Sequence, residues 1–267
     1  PSVYDMSEAP FSICRLALLN PNGGELYNAA AVRNINWNSE LVTNVKLEYS
    51  VNAGSAWQTI IASTDATTGS YAWNVPSELS DQCIVRICDT AESTVNDISD
   101  TVFTVCSLAI TYPDASGIIL QAGREYNITW SEQLLPGTVT LELTTNGTTY
   151  STIVTGIDAS LHSYLWTVPD TPSTTCKIRI VSEYDNQVIS TSANNFSICR
   201  LNVLVPNGME IWGEESVKAI SWSSANVTNV KLEYSSNDGA SWQVITASVA
   251  ASGGTYNWTL PIINTTQ

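Results

Sequence analysis

The sequence has little histidine, little phenylalanine and few positive charges. One His among 267 residues, His162, leaves no His-rich metal site and little scope for His-based catalysis. Ten Lys and Arg against 25 Asp and Glu give a formal charge of −15. Phosphate binding needs clustered basic residues, so a nucleic-acid partner is excluded, as is docking on anionic lipid. No run approaches 18 consecutive apolar residues, so no segment reads as a membrane-spanning helix. There is no C-x-x-C pair for zinc and no G-x-S-x-G for a serine hydrolase, and the lone His sits beside a turn. Residue 1 is Pro, so a processed chain or a window of a longer one is expected.

What the chain does contain is apolar residues at 43%, nine Trp, eleven Tyr, and 62 Ser and Thr. That apolar share supports packed cores rather than a disordered stalk. The aromatics favour strands.

The strongest signal is an internal repeat. Ile35-Asn36-Trp37, Ile128-Thr129-Trp130 and Ile220-Ser221-Trp222 recur at offsets of 93 and 92. Tyr71 to Pro76 recurs as Tyr164 to Pro169 and Tyr256 to Pro261, and Phe11 to Cys14 as Phe103 to Cys106 and Phe196 to Cys199. Within each repeat, Val45, Leu47 and Tyr49 alternate with Lys46, Glu48 and Ser50, and Val139, Leu141 and Leu143 do the same. That is the period of a half-buried strand. Asn22-Gly23-Gly24, Ala53-Gly54, Asn146-Gly147 and Asp238-Gly239 punctuate the runs. About seven short strands in about 92 residues predict an all-β chain of tandem immunoglobulin-like antiparallel sandwiches, arranged as a rod. Trp37, Trp130 and Trp222 are expected between the sheets.

The unit boundaries fall out of phase with the chain ends. Residues 1–14 align with the end of a repeat, 15–106 and 107–199 are complete units, and 200–267 are an incomplete third. Residues 1–14 are thus expected to be the last strand of a preceding unit in a longer array, or a strand donated to another copy. Neighbouring copies of the repeat are the expected partners.

Ser50 to Trp57 and Ser235 to Trp242 resemble an Asp-box hairpin with Asn in the Asp position, a motif that implies a stable turn and no catalysis. The whole pattern comprises Pro-Asn-Gly, Ile-x-Trp, Val-x-Leu-Glu-Tyr-Ser, Tyr-x-Trp-x-Val-Pro, Cys-x-x-Arg-Ile and Phe-x-x-Cys. It resembles the Ig-like modules of the Ser-Thr-rich GPI-anchored cell-wall family and related surface-protein repeats. The resemblance implies a role in walls, adhesion or surface architecture, with no catalytic residues.

Six cysteines lie at 14, 83, 88, 106, 176 and 199. A hairpin centred near residue 94 would bring Cys83 beside Cys106, and one near 187 would bring Cys176 beside Cys199. Those two disulfides are expected, and with them an oxidising, extracellular or cell-surface location. Cys14 is left for a bond between units. Cys88 should point outward as a free thiol or an intermolecular bridge. Sequons at Asn127, Asn146, Asn195, Asn226, Asn257 and Asn264 are candidate N-glycosylation sites. No cofactor is expected. Asp89, Glu92 and Asp97 are the candidate calcium ligands, and Asp97 and Asp100 the only paired carboxylates worth weighing for glycoside hydrolysis. A solvated acidic face explains both more simply. Three functions remain: a non-catalytic structural segment of a surface, filament or stalk; an adhesin or carbohydrate-binding module, with Trp212 as its exposed aromatic; or repeats appended to a secreted enzyme. The first is preferred, because no Gly-Ser or Pro-rich spacer separates the units.

Overall fold

A computed structural model describes residues 2–262. The first unit holds β1 (Arg15–Asn20), β2 (Leu26–Asn28), β3 (Val32–Glu40), β4 (Asn44–Ser50), β5 (Gln58–Asp65), β6 (Ser70–Asn74), β7 (Ser80–Asp89), β8 (Asn96–Ile98) and β9 (Phe103–Tyr112). The second holds β10 (Ile119–Gln121), β11 (Glu125–Gln133), β12 (Thr138–Thr144), β13 (Ser151–Asp158), β14 (Ser163–Thr167), β15 (Ser173–Ser182), β16 (Ile189–Thr191) and β17 (Phe196–Val205). The third holds β18 (Val217–Ala225), β19 (Asn229–Tyr234), β20 (Gln243–Ala250) and β21 (Thr255–Thr259).

The all-β immunoglobulin-like expectation holds. In the first unit β1-β3-β6 form one antiparallel sheet, and β5-β4-β7 run on to β9 in the other. Their inner faces carry the alternating apolar positions predicted from sequence. Ile35, Trp37, Val45, Leu47, Val85, Ile87 and Phe103 are all buried in one core. Ile128, Trp130, Val139, Leu141, Ile178, Ile180 and Phe196 form the matching core of the second unit.

Each inter-sheet Trp has a polar task as well. A buried indole N–H needs an acceptor. Trp37 Nε1 donates to Ala66 O at 2.8 Å, Trp130 Nε1 to Ala159 O at 2.7 Å, and Trp222 Nε1 to Ala251 O at 2.8 Å. Each acceptor opens a three-residue 3₁₀ turn: Ala66–Thr68, Ala159–Leu161 and Ala251–Gly253. Asp65 and Asp158 cap the first two turns, while Ala250 in the third makes no side-chain cap. Each turn ends in a left-handed residue, Gly69, His162 or Gly254.

The units share strands. The first half of β9 pairs with β7 and, in parallel, with β2; its second half pairs with β11 of the next unit. β17 likewise pairs with β15 and β10, then with β18. Alternation divides the strand between two cores: Val105 and Tyr27 pack into the first, Cys106 and Leu26 into the second. Across this junction Arg33 Nη2 donates to Gln187 O at 2.7 Å and Asn28 Nδ2 to Ile189 O at 3.3 Å. The predicted boundaries at 106/107 and 199/200 thus fall inside continuous strands. The accessible surface is 15138 Å² at 28.9 kDa. A compact monomer of that mass would expose about 11,400 Å². Part of the excess is the segment 2–14, which joins no strand of this chain and leaves Val3, Met6, Phe11 and Ile13 exposed.

All six cysteines are free, which corrects the expected disulfides. β8 pairs Ile87 with Asp97, which puts the turn around residue 92 rather than 94. By β9 the register is Cys83 opposite Phe103, and in the second unit Cys176 lies opposite Phe196. Cys106 and Cys199 therefore sit three residues further along, about 10 Å of strand rise, beyond the ~7 Å reach of a disulfide. Cys83 and Cys106 also belong to different cores.

Candidate functional site: a repeated Glu–Arg–aromatic face

On the outer face of the β4–β7 sheet, Glu48 and Arg86 are direct cross-strand partners. Arg86 Nη2 and Nε donate to Glu48 Oε2 at 2.6 and 3.1 Å, and Lys46 Nζ lies 2.6 Å from Oε1. Glu48 is almost covered. Burial alone would raise its carboxyl pKa, but the hydrogen bonds from Lys46 and Arg86 outweigh it and hold the group below its ordinary 4.5. The Arg86 guanidinium also stacks over Trp57, 4.2 Å from the ring.

Trp57 is delivered by the hairpin noted in the sequence. Ser50 Oγ accepts from Asn52 N and Gly54 N at 3.2 and 2.9 Å, and Asn52 Oδ1 accepts from Ala56 N at 2.8 Å. Gly54 takes a positive φ of 86°, so the turn requires glycine there. Ser235, Asn237, Gly239 and Ser241 repeat the pattern around Trp242, and Thr144 and Asn146 make a shorter version around Tyr150.

The second unit rebuilds the face. Arg179 Nε donates to Glu142 Oε2 at 2.6 Å and stacks 3.8 Å from Tyr150. In place of the lysine, Thr138, Thr140 and Gly156 N donate to Glu183 at 2.6–2.7 Å and hold its carboxyl below the usual range. The third unit keeps Glu233, with Lys231 Nζ 2.5 Å away, but its Trp242 is 60% exposed. The sequence showed each of these residues singly. That they meet on one face follows from the pairing of Glu48 with Arg86 and the stacking of Arg86 on Trp57, and the common offset near 93 repeats the arrangement in the second unit.

In the first unit this face is a shallow groove of about 470 Å³, lined by Lys46, Glu48, Arg86, Cys88 and Asn96 among others. Burial pushes the Cys88 thiol up, as it does for Cys83 and Cys176, and Cys106 is pushed up to about 11. These are protonated thiols at neutral pH and weak nucleophiles.

Each acidic candidate already accepts a hydrogen bond, Asp89 and Glu92 within their own turn and Asp97 and Asp100 from β1 and the loop after it. Asp97 Oδ2 accepts from Leu18 N at 2.7 Å, Asp100 Oδ2 from Asn22 Nδ2 at 2.7 Å, Glu92 Oε1 from Thr94, and Asp89 Oδ1 from Ala91 N. Among the described residues no three His, Cys, Asp or Glu side chains come together as a metal site. His162 is the cap of a 3₁₀ turn, 3.4 Å from Glu132.

Of the sequons, Asn127, Asn146, Asn195, Asn226 and Asn257 all lie exposed. The Asn146 amide donates to Thr149 and the Asn226 amide to Ile198 O. Asn264 lies outside the described residues. Trp212 is partly covered rather than fully exposed, and Cys14 packs against the first core.

A family model, the Kre9/KNH-like N-terminal Ig-like domain, matches residues 114–198, about a third of the chain and nearly all of the second unit. No match was found among curated proteins. Among solved structures, fibronectin(III)-like modules of Clostridium thermocellum CbhA are 16% identical, covering 68% of this chain and 92% of theirs, with a TM-score of 0.27. Three N-terminal domains of the bacteriophage RB49 Hoc capsid protein are 9% identical, covering 94% and 88%, with a TM-score of 0.27. A tetra-tandem repeat from the extending region of a large adhesion protein is 15% identical, covering 94% and 66%, with a TM-score of 0.26. Superposition is loose in all three.

Proposed function

We propose that the chain is a non-catalytic, load-bearing array of a cell surface or extracellular structure, in which successive Ig-like units are fused into a stiff rod. The observation that carries this reading is strand sharing: β9 and β17 each serve two successive units with no residue of linker. Bending at such a junction must break ladder hydrogen bonds and expose Leu26 and Leu108, both buried at the first junction. A flexible linker would bend at no such cost. The acidic surface suits a soluble extracellular rod, and the exposed Asn127, Asn195 and Asn257 are positioned to carry N-glycans. The match of the second unit to a Kre9/KNH-like domain, together with the resemblance to Ser-Thr-rich wall repeats, favours a wall or surface setting. Cofactors have no part in this reading. Inserting Gly-Ser-Gly-Ser after Cys106 tests it. Scattering from the variant should shift toward jointed particles, and an unchanged profile would remove strand sharing as the source of stiffness.

A further inference from the structure

The repeated Tyr-x-Trp-x-Val-Pro string carries more than core packing requires. In the second unit Trp166 and Val168 turn into the core, which is the packing role. Tyr164, Thr167 and Pro169 line a groove of about 400 Å³ on the flank of the sandwich, with Ser151 and Thr152 on its other wall. The groove runs between β14, the last strand of one sheet, and β13, the last strand of the other. Each pairs on one side only, β14 with β11 and β13 with β12, and among the described residues no strand takes the outer edges. The second unit has a neighbour before and after it in the chain, so this opening belongs to the fold of the unit itself. A matching groove of about 450 Å³ lies between β20 and β21, where Gln243, Tyr256, Asn257 and Thr259 line it. In the first unit Gln58, Tyr71 and Asn74 hold the same places at the repeat offset.

The lining indicates what would fill it. Among the described residues neither groove is lined by a charged side chain, in a chain of net charge −15. The polar groups are hydroxyls and amides, which donate and accept without charge. Tyr164 packs its ring partly on the second core, and its hydroxyl makes no hydrogen bond among the described residues. Gln58 and Gln243 accept from the Tyr49 and Tyr234 hydroxyls at 2.7 Å through Oε1, which leaves Nε2 as a donor. An aromatic face beside uncharged donors and acceptors matches a sugar ring, whose C–H groups stack while its hydroxyls bond at the rim. The acidic surface around the groove repels an anionic polymer. We infer that this flank groove is a binding site for a neutral polysaccharide, present once in each unit. Tyr164 stacks on a sugar ring, and Ser151, Thr152 and Thr167 bond its hydroxyls. Sites repeated along one chain hold a polymer at several points, so weak single contacts suffice.

NMR titration of the intact chain tests this. The chain is produced without N-glycans, because Asn257 lines one groove and Asn127 lies opposite Leu165 of β14 beside the other. The probes are cellohexaose, laminarihexaose, mannohexaose and chitohexaose, with polygalacturonate as the charged control. At least one neutral probe should bind saturably and shift the amides of β13 and β14, with polygalacturonate at least about tenfold weaker. Tyr164→Ala should abolish the response in β13 and β14. Because Tyr164 also touches the core, Thr167→Glu is the second variant: Thr167 is exposed, so the melting curve should not change. Its new carboxylate should weaken binding in the second unit about tenfold or more, while β20 and β21 still respond. Saturable binding by none of the neutral probes, shifts confined to the Glu48–Arg86 face, or unchanged binding in Thr167→Glu overturns the inference. So does stronger binding of polygalacturonate, or of an uncharged extended peptide that slows amide exchange along β14. None of these outcomes touches the stiffness of the β9 junction, which the insertion variant reads separately.

Discussion

Asn44 to Ser50 and Asn229 to Ser235 are the same seven residues, Asn-Val-Lys-Leu-Glu-Tyr-Ser, in two surroundings. In the first unit Val45 and Leu47 are sealed and Glu48 is nearly covered. In the third, Leu232 is only partly buried and the Glu233 side chain remains 32% exposed. Both segments are strands, with nearly the same pairing to the strand that follows. Local sequence therefore decides that a strand forms. What lies on its other edge decides whether the strand carries stability.

The sharpest way to break the comparison is to cut the same leucine in both places. Leu47→Ala should cost about 3 kcal/mol by denaturant unfolding. Leu232→Ala should cost about 1 kcal/mol, because its site is already open to water and leaves little cavity. Equal losses would mean that the two environments do not differ.

Arg86→Ala comes next, with an expected loss of about 2 kcal/mol, since it strips Glu48 of a partner while leaving it covered. The same pair predicts a pH effect. The Glu48 pKa is depressed on folding, so its contribution is present above the ordinary value and fades as pH falls through the depressed one. The unfolding midpoint of the wild type should thus fall on acidification below about pH 4.5, and Glu48→Gln should flatten part of that slope.

His162 occupies the left-handed cap that Gly69 and Gly254 occupy elsewhere, with φ of 57°. His162→Gly should raise stability by about 0.5–1 kcal/mol, since only glycine holds that conformation without steric cost. Gly69→Ala should lower it, because a Cβ there meets Trp37 O at 3.3 Å. Smallest is Ala250→Asp, which supplies the cap that Asp65 and Asp158 make; a slight rise in the melting temperature of the third unit is expected.

The sandwich, its period and its inward-facing positions were legible because alternation and turn residues recur three times in register. The inter-sheet Trp residues were placed for the same reason. Their 3₁₀ partners were not, since a three-residue turn has no period to detect. The disulfides were misplaced because an ideal hairpin was assumed between β7 and β9. Ser99 is drawn into hydrogen bonds with Val85 and Pro21 O, and this break between β8 and β9 shifts the register that the cysteine spacing presupposed. The Glu–Arg–aromatic face needed the pairing of Glu48 with Arg86, which spacing alone does not supply.

Small-angle X-ray scattering from the intact chain tests the central claim most directly. A compact body of 267 residues would have a radius of gyration of about 18 Å. Units welded through β9 and β17 should give a value well above that, with a rod-like profile unchanged by salt. A value near 18 Å, or a broad distribution typical of loosely tethered beads, would contradict the account.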